Sequence, residues 1–105
     1  MDAITGLSGS GPAFIYSIID ALADGGVREG LSRDIAVKLA AQTMLGSAKM
    51  VMEVNAHPAD LKDQVTSPGG TTVAGLQVME EKNVNRALAD AVAAATQRSR
   101  ELGNS

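Results

Sequence analysis

Apolar residues recur along this chain every three or four positions, which is the period of an amphipathic helix rather than of a strand. The pattern predicts five helices and no sheet. The first helix begins at Pro12, a residue suited to the first turn, with Ser10 or Gly11 as its cap. We expect it to end at the glycine pair Gly25 and Gly26.

The second predicted helix is the longest and has the narrowest polar side. Ser32 is its expected cap, and the helical pattern continues to Asn55 and Pro58. Its polar side chains, spaced by four, seven and four, form a single stripe: Lys38, Gln42, Lys49 and Glu53. A helix that is apolar around most of its circumference must be buried on most sides. We expect a partner chain to cover it; the alternative is a central helix in the core of a monomer.

Three shorter elements complete the pattern. Pro58 starts a short helix that Pro68 ends, and a further helix is expected over Thr72–Lys82. After Asn83 or Asn85, the last helix carries apolar and small residues at helical spacing as far as Leu102. The fold class is therefore all-α, and residues 1–105 are predicted to form a single domain.

Composition and charge agree with this prediction and narrow the function classes. The chain has seventeen Ala, 2% aromatic residues and no Cys. A net charge of −3 argues against nucleic-acid binding, which needs a basic surface. Without Cys and with His57 as the only His, no metal site is expected. No apolar run reaches 18 residues, so we expect no membrane contact and a cytoplasmic protein.

Two glycine-rich segments are candidates for chemistry. The segment Gly6–Gly11 lacks both the spacing and the preceding strand of a dinucleotide loop, and we expect a flexible lead-in to the first helix. The segment Ser67–Thr72 combines two glycines, three hydroxyls and the start of a helix, which suits a small anion such as a carboxylate. An ordinary Pro-Gly turn with a Thr cap is an equally open interpretation. His57, followed by Pro58, is expected near a helix start rather than in catalysis.

Taken together, several segments resemble the C-terminal domain of the pyrroline-5-carboxylate reductases. They are TGLSGSGPA at 5–13, ADGGV at 23–27, His57-Pro58, LKDQVTSPGGTT at 61–72 and ATQRSREL at 95–102. The resemblance runs from Asp2 to Leu102. It implies a helical domain like the C-terminal domain of 6-phosphogluconate dehydrogenase, forming an interleaved homodimer that assembles further into rings.

The same resemblance implies an activity and assigns residues to it. Such enzymes reduce 1-pyrroline-5-carboxylate to L-proline with NADP or NAD, which is held by an N-terminal Rossmann domain that this sequence lacks. The isolated chain is therefore expected to bind no cofactor. The resemblance assigns the substrate carboxylate to Ser67, Pro68, Gly69, Gly70, Thr71 and Thr72. It assigns catalytic roles to Thr72 and Thr5, and places Thr5 and Gln64 near the nicotinamide.

Two other functions stay open beside this one. The chain is alternatively a purely structural helical dimerisation module. It is otherwise the helical domain of another Rossmann-type reductase, acting on a different imine or on a 2-hydroxy acid.

Overall fold

The computed structural model describes residues 1–104, and that range is helical almost throughout, without a strand. Ser105, the last residue of the predicted domain 1–105, lies outside the described residues. The elements are α1 (Asp2–Ile4), a π-helical turn (Thr5–Gly9), α2 (Gly11–Arg28), α3 (Arg33–Val54), α4 (Pro58–Gln64), α5 (Thr71–Glu81) and α6 (Val84–Gly103). The all-α prediction is confirmed, with α2–α6 as the five predicted helices.

Both ends of α3 lie where the sequence predicts them. The Ser32 hydroxyl accepts a hydrogen bond from the Ile35 N–H at 3.3 Å, which caps the first turn. At the other end, Asn55 adopts a left-handed conformation with φ of 56°. Such a residue at the end of a helix directs the chain out of the helical path.

The first helix ends two to three residues later than predicted. The helix α2 continues through Gly25 and Gly26 to Arg28, and Gly30, with φ of 106°, marks its end. The N–H of Leu31 donates to the Gly26 carbonyl at 3.0 Å, and the N–H of Gly30 donates to the Val27 carbonyl at 3.1 Å. These two bonds are those of a Schellman motif, in which the left-handed residue is Gly30.

The role of Gly26 is close packing rather than helix termination. A Cβ at this position would lie 3.2 Å from both the Leu31 side chain and the Ala36 Cβ. The glycine therefore lets the first turn of α3 approach α2 closely.

The expected flexible lead-in at the N-terminus is also wrong, because this segment is helical. The N–H of Thr5 donates to the Met1 carbonyl at 3.0 Å, and the N–H of Ser10 donates to the Thr5 carbonyl at 2.9 Å. The second bond spans five residues, which defines a π-helical turn. Glycines alone did not indicate this, because the segment is ordered by its contacts with α6.

The chain divides into two compact units, each with few buried side chains. One consists of Phe14–Gln64, where Ala23, Ala36 and Ala40 are buried. The other consists of Met1–Ala13 and the chain from Val65 onward, where Gly6 and Thr96 are buried. Since alanine buries little apolar area, neither unit has a core of large side chains.

Large apolar residues of α3 are exposed in the single chain. Leu45 is 62% exposed and Met52 is 83% exposed, and further exposed residues follow along the helix: Ile35, Val37, Leu39, Met50, Val51 and Val54. On the predicted polar stripe, Lys49 and Glu53 lie 4.0 Å apart as an ion pair. Within residues 1–104, no helix combines the length and the apolar character needed to cross a membrane.

Candidate functional site

The segment from Ser67 to Gly70 forms a tight turn. The N–H of Gly70 donates to the Ser67 carbonyl at 3.1 Å, which closes the four residues. Pro68 at the second position and Gly69 at the third, with φ of 71°, are the residues that a type II turn favours. The glycine at position 69 is therefore required by the backbone, because a side chain is strained at that φ.

The turn delivers the chain directly into the N-terminus of α5. Gly70 is the cap residue, and among the described residues no side chain caps this helix end. The first N–H groups of a helix have no partner within the helix, and the helix dipole adds partial positive charge there. Thr71 is exposed and Thr72 is partly buried, so two hydroxyls lie in this first turn.

Gly70 also leaves room that a side chain would fill. A Cβ at this position would lie 2.6 Å from the Ser67 hydroxyl oxygen and 3.3 Å from the Ser67 carbonyl oxygen. The glycine thus lets the Ser67 hydroxyl lie against the backbone at the start of α5. Together, Ser67–Thr72 present hydroxyls and backbone N–H groups with no opposing carboxylate in the segment, which is a donor set suited to an anion.

Thr5 begins the π-helical turn, and its side chain is exposed. Its hydroxyl donates to the Met1 carbonyl at 3.2 Å, and both its N–H and its carbonyl are hydrogen-bonded within the turn. The backbone of Thr5 is therefore held on both sides, whereas the hydroxyl retains acceptor capacity toward a ligand.

The remaining candidate residues lie on α4. Gln64 is the last residue of α4 and is exposed, but it belongs to the other compact unit, as described above. The Nδ1 atom of His57 accepts a hydrogen bond from the Ala59 N–H at 3.0 Å. His57 therefore caps α4, as its position before Pro58 predicts.

Within one unit, the π-helical turn that begins at Thr5 packs against α6. The helix α5, which follows the loop Ser67–Thr72, also contacts α6. Within the described residues, no group of three His, Cys, Asp or Glu side chains could hold a metal ion.

Sequence reasoning missed two polar contacts on α6. The Thr96 hydroxyl donates to the Val92 carbonyl at 2.8 Å, and Thr96 is 8% exposed. The Ser99 hydroxyl donates to an Asp2 carboxylate oxygen at 2.7 Å. The spacing shows that Val92, Thr96 and Ser99 share one helix face, but it does not show what that face contacts.

Comparison with known proteins identifies relatives over the whole chain. The family described as "Pyrroline-5-carboxylate reductase dimerisation" matches residues 1–102. The pyrroline-5-carboxylate reductase of Methanosarcina acetivorans is 57% identical over 103 residues, which is 98% of this chain and 38% of the relative. That of Pisum sativum is 60% identical over 101 residues, covering 96% of this chain and 37% of the relative.

Solved structures give the same relationship. The pyrroline carboxylate reductase of Plasmodium falciparum, whose crystal structure has NADP bound, superposes with a TM-score of 0.94 at 41% identity. This match covers 98% of the chain and 39% of the Plasmodium protein. The chain thus spans well under half the length of the relatives it matches.

Proposed function

The chain belongs to the pyrroline-5-carboxylate reductase dimerisation family, and from this premise we propose that it forms the dimer interface and the substrate-carboxylate site of such an enzyme. The complete enzyme reduces 1-pyrroline-5-carboxylate to L-proline in proline biosynthesis. The hydride comes from NADP or NAD in its reduced form, held by a separate N-terminal Rossmann domain.

The observation that carries this proposal is the turn at the start of α5. The substrate is a small cyclic imine with one carboxylate, and the segment Ser67–Thr72 offers that carboxylate two kinds of donor. Backbone N–H groups of Thr71 and Thr72 lie at the uncapped helix end, and hydroxyls come from Ser67, Thr71 and Thr72. Hydrogen bonds to a charged acceptor contribute about 1.5–3 kcal/mol each, so a few of them hold a small anion.

Reduction of the imine requires orientation and a proton more than it requires a nucleophile. Hydride adds to the imine carbon, and the ring nitrogen ends as an amine. A substrate held by its carboxylate has its ring in a fixed orientation, which lowers the entropic part of the barrier. In this proposal the Thr72 hydroxyl faces the ring nitrogen and holds or relays its proton, and Thr5 assists from the π-helical turn.

The residues of this chain are suited to the nicotinamide of the dinucleotide but not to its diphosphate. The exposed Thr5 hydroxyl and the Gln64 amide are suited to hydrogen bonds with a carboxamide, as the nicotinamide requires. The diphosphate of the cofactor needs a glycine-rich loop after a strand, and residues 1–104 contain no strand. The cofactor, when bound, supplies the hydride; this chain orients the group that receives it.

The exposed apolar surface supports an obligate homodimer. The chain has an accessible surface of 8067 Å² for a mass of 10.7 kDa. A folded monomeric protein of this mass exposes about 5500 Å². The excess of about 2500 Å² per chain corresponds to about 5000 Å² for two chains, at the upper end of the total area that obligate interfaces commonly bury. We therefore propose that α3 is covered by a second copy, and that dimers assemble further into the ring that the resemblance implies.

Steady-state kinetics test the carboxylate site. The chain is joined to the N-terminal domain of a reductase of this family, here called the fused enzyme, and compared with the chain alone. We expect NAD(P)H-dependent reduction of pyrroline-5-carboxylate by the fused enzyme and none by the chain alone. Ser67→Ala should raise KM for pyrroline-5-carboxylate, and Thr72→Ala should lower kcat, each about 10- to 100-fold. Gly70→Val should be more damaging, because its Cβ overlaps the Ser67 hydroxyl.

The outcomes separate the proposal from its alternatives. Kinetic constants close to those of the unmutated fused enzyme in all three variants would remove Ser67–Thr72 from the site. Turnover of a 2-hydroxy acid or of another imine in preference to pyrroline-5-carboxylate would assign the chain to a different reductase. A fused enzyme that assembles correctly but is inactive would indicate that the chain is a structural dimerisation module. The predicted cytoplasmic location is tested by fractionating cells that express the complete protein.

A further inference from the structure

One face of α6 makes direct contacts with the N-terminal segment. Val92, Thr96 and Ser99 are spaced by four and three residues and therefore share a side of the helix. Val92 and Thr96 lie against Gly6, and Ser99 hydrogen-bonds Asp2. Because the residue numbers on the N-terminal segment fall as those on α6 rise, the two segments run antiparallel.

The contact at Gly6 is between backbones. A Cβ at Gly6 would overlap the Thr96 hydroxyl oxygen and would lie 2.9 Å from both the Thr96 nitrogen and the Val92 carbonyl oxygen. Real Cβ atoms essentially never approach other atoms this closely. The Thr96 hydroxyl donates to the Val92 carbonyl, and this bond fixes the side chain in the position that Gly6 accommodates.

This contact determines where Thr5 lies. Thr5 immediately precedes Gly6, and its backbone N–H and carbonyl are both hydrogen-bonded in the same turn. A shift of Gly6 away from α6 would therefore carry Thr5 with it.

We propose that Gly6 and Thr96 are positioning residues, which set the distance of Thr5 from α6 and so fix the position of the Thr5 hydroxyl. This inference rests on the function proposed above, in which Thr5 assists the reaction and contacts the nicotinamide. It assigns no substrate contact to either Gly6 or Thr96.

Variants of the fused enzyme test this inference. In Gly6→Ala, the new Cβ meets backbone atoms of α6, so the turn must move by several tenths of an ångström. We expect kcat to fall about tenfold and KM for the cofactor to rise, because small displacements of reacting groups are costly. The KM for pyrroline-5-carboxylate should stay within about twofold, because the carboxylate loop keeps its own hydrogen bonds. The control is Gly103→Ala, at the C-terminal end of α6, where a Cβ meets nothing within 4 Å.

A pair of substitutions at Thr96 covers the case in which Gly6→Ala does not fold. Thr96→Ser keeps the hydroxyl that bonds Val92, and we expect constants within about twofold of the unmutated fused enzyme. Thr96→Val puts a methyl group where the hydroxyl lies against Gly6, and we expect a lower kcat and a raised cofactor KM. A merely structural role would instead lower the melting temperature in both Thr96 variants without this division between the kinetic constants.

Light scattering and thermal melting of every variant establish that each is folded and assembled. Suppose that Thr5→Val lowers kcat, but that folded Gly6→Ala, or both Thr96→Ser and Thr96→Val, leave kcat and both KM values unchanged. The positioning role is then refuted, and the proposed function stands. If Thr5→Val has no effect while Ser67→Ala raises the substrate KM, the positioning role falls with the role of Thr5. If the loop variants also have no effect, the proposed function falls as well.

Discussion

Replacing Leu45 with lysine places a charge where the exposed apolar surface of α3 borders the predicted polar stripe, three residues from Gln42 and four from Lys49. Leu45 is 62% exposed in the single chain, and Met44 beside it is partly buried. If a second copy covers α3, the substituted ammonium group must be desolvated in the interface, which is strongly unfavourable without a partner charge. We expect the Leu45→Lys chain to dissociate, and to unfold where the single chain lacks a core of its own.

The size of the effect follows from the exposed fraction of Leu45. Full burial of a leucine side chain contributes about 1.5–3 kcal/mol, so the 62% still exposed corresponds to about 1–2 kcal/mol. In a twofold-symmetric dimer each substitution occurs twice, which gives about 2–4 kcal/mol. The dissociation constant should therefore rise by roughly 30- to 1000-fold from lost burial alone. Desolvation of the charge adds to this value.

Light scattering over a range of protein concentrations, with helix content followed by circular dichroism, measures this effect. Gln42→Lys is the matched control, because it adds the same side chain to the same helix on the predicted polar stripe. We expect Gln42→Lys to remain dimeric at concentrations where Leu45→Lys does not. Equal dissociation of the two variants, or a well-folded monomer formed by the unmutated chain, would refute the assignment of the α3 interface.

The remaining predictions concern helix ends. Gly30→Ala should lower the free energy of unfolding by about 1 kcal/mol or more, because φ of 106° is unfavourable for alanine. Gly25→Ala is the control and should raise the melting temperature, because a Cβ there meets nothing within 4 Å and alanine favours the helix. Equal shifts in melting temperature for the two variants would contradict the Schellman assignment. Ser32→Ala should lower the free energy of unfolding by about 1 kcal/mol, because the cap on α3 is lost, and Ser32→Asp should keep most of that stability because aspartate also caps helices. Thermal unfolding at one fixed protein concentration measures both variants.

Helix ends were predictable where a single residue type determines them. Ser32 and Asn55 bound α3 because a hydroxyl cap and a left-handed residue each have local preferences that override the neighbouring sequence. The end of α2 was mispredicted because Gly25 and Gly26 are tolerated inside a helix, and the glycine in the left-handed conformation is Gly30. The Ala36 side chain that lies against Gly26 belongs to α3, so no pattern within α2 encodes this contact.

The loop Ser67–Thr72 was predictable from local chemistry, whereas the Thr5 turn and the role of Thr96 were not. Pro68, Gly69 and Gly70 indicated the turn from local chemistry, although that chemistry alone did not separate an anion site from an ordinary turn. The order of the Thr5 turn and the role of Thr96 could not be predicted, because both depend on contact between the two ends of the chain. Threonine occurs inside helices in several roles, so the residue type alone does not indicate that Thr96 packs against Gly6.

The hydrogen bond between Ser99 and Asp2 joins residues separated by 97 positions in the sequence. During synthesis on the ribosome, α6 emerges after α1–α5, so the N-terminal segment has no surface to pack on until α6 has been made. At about 5–20 residues per second, this interval lasts roughly 5–20 s. The turn that carries Thr5 must therefore remain without its packing partner during this interval, and a nascent chain that stalls before α6 would carry every residue of the proposed site but not the helix that positions Thr5.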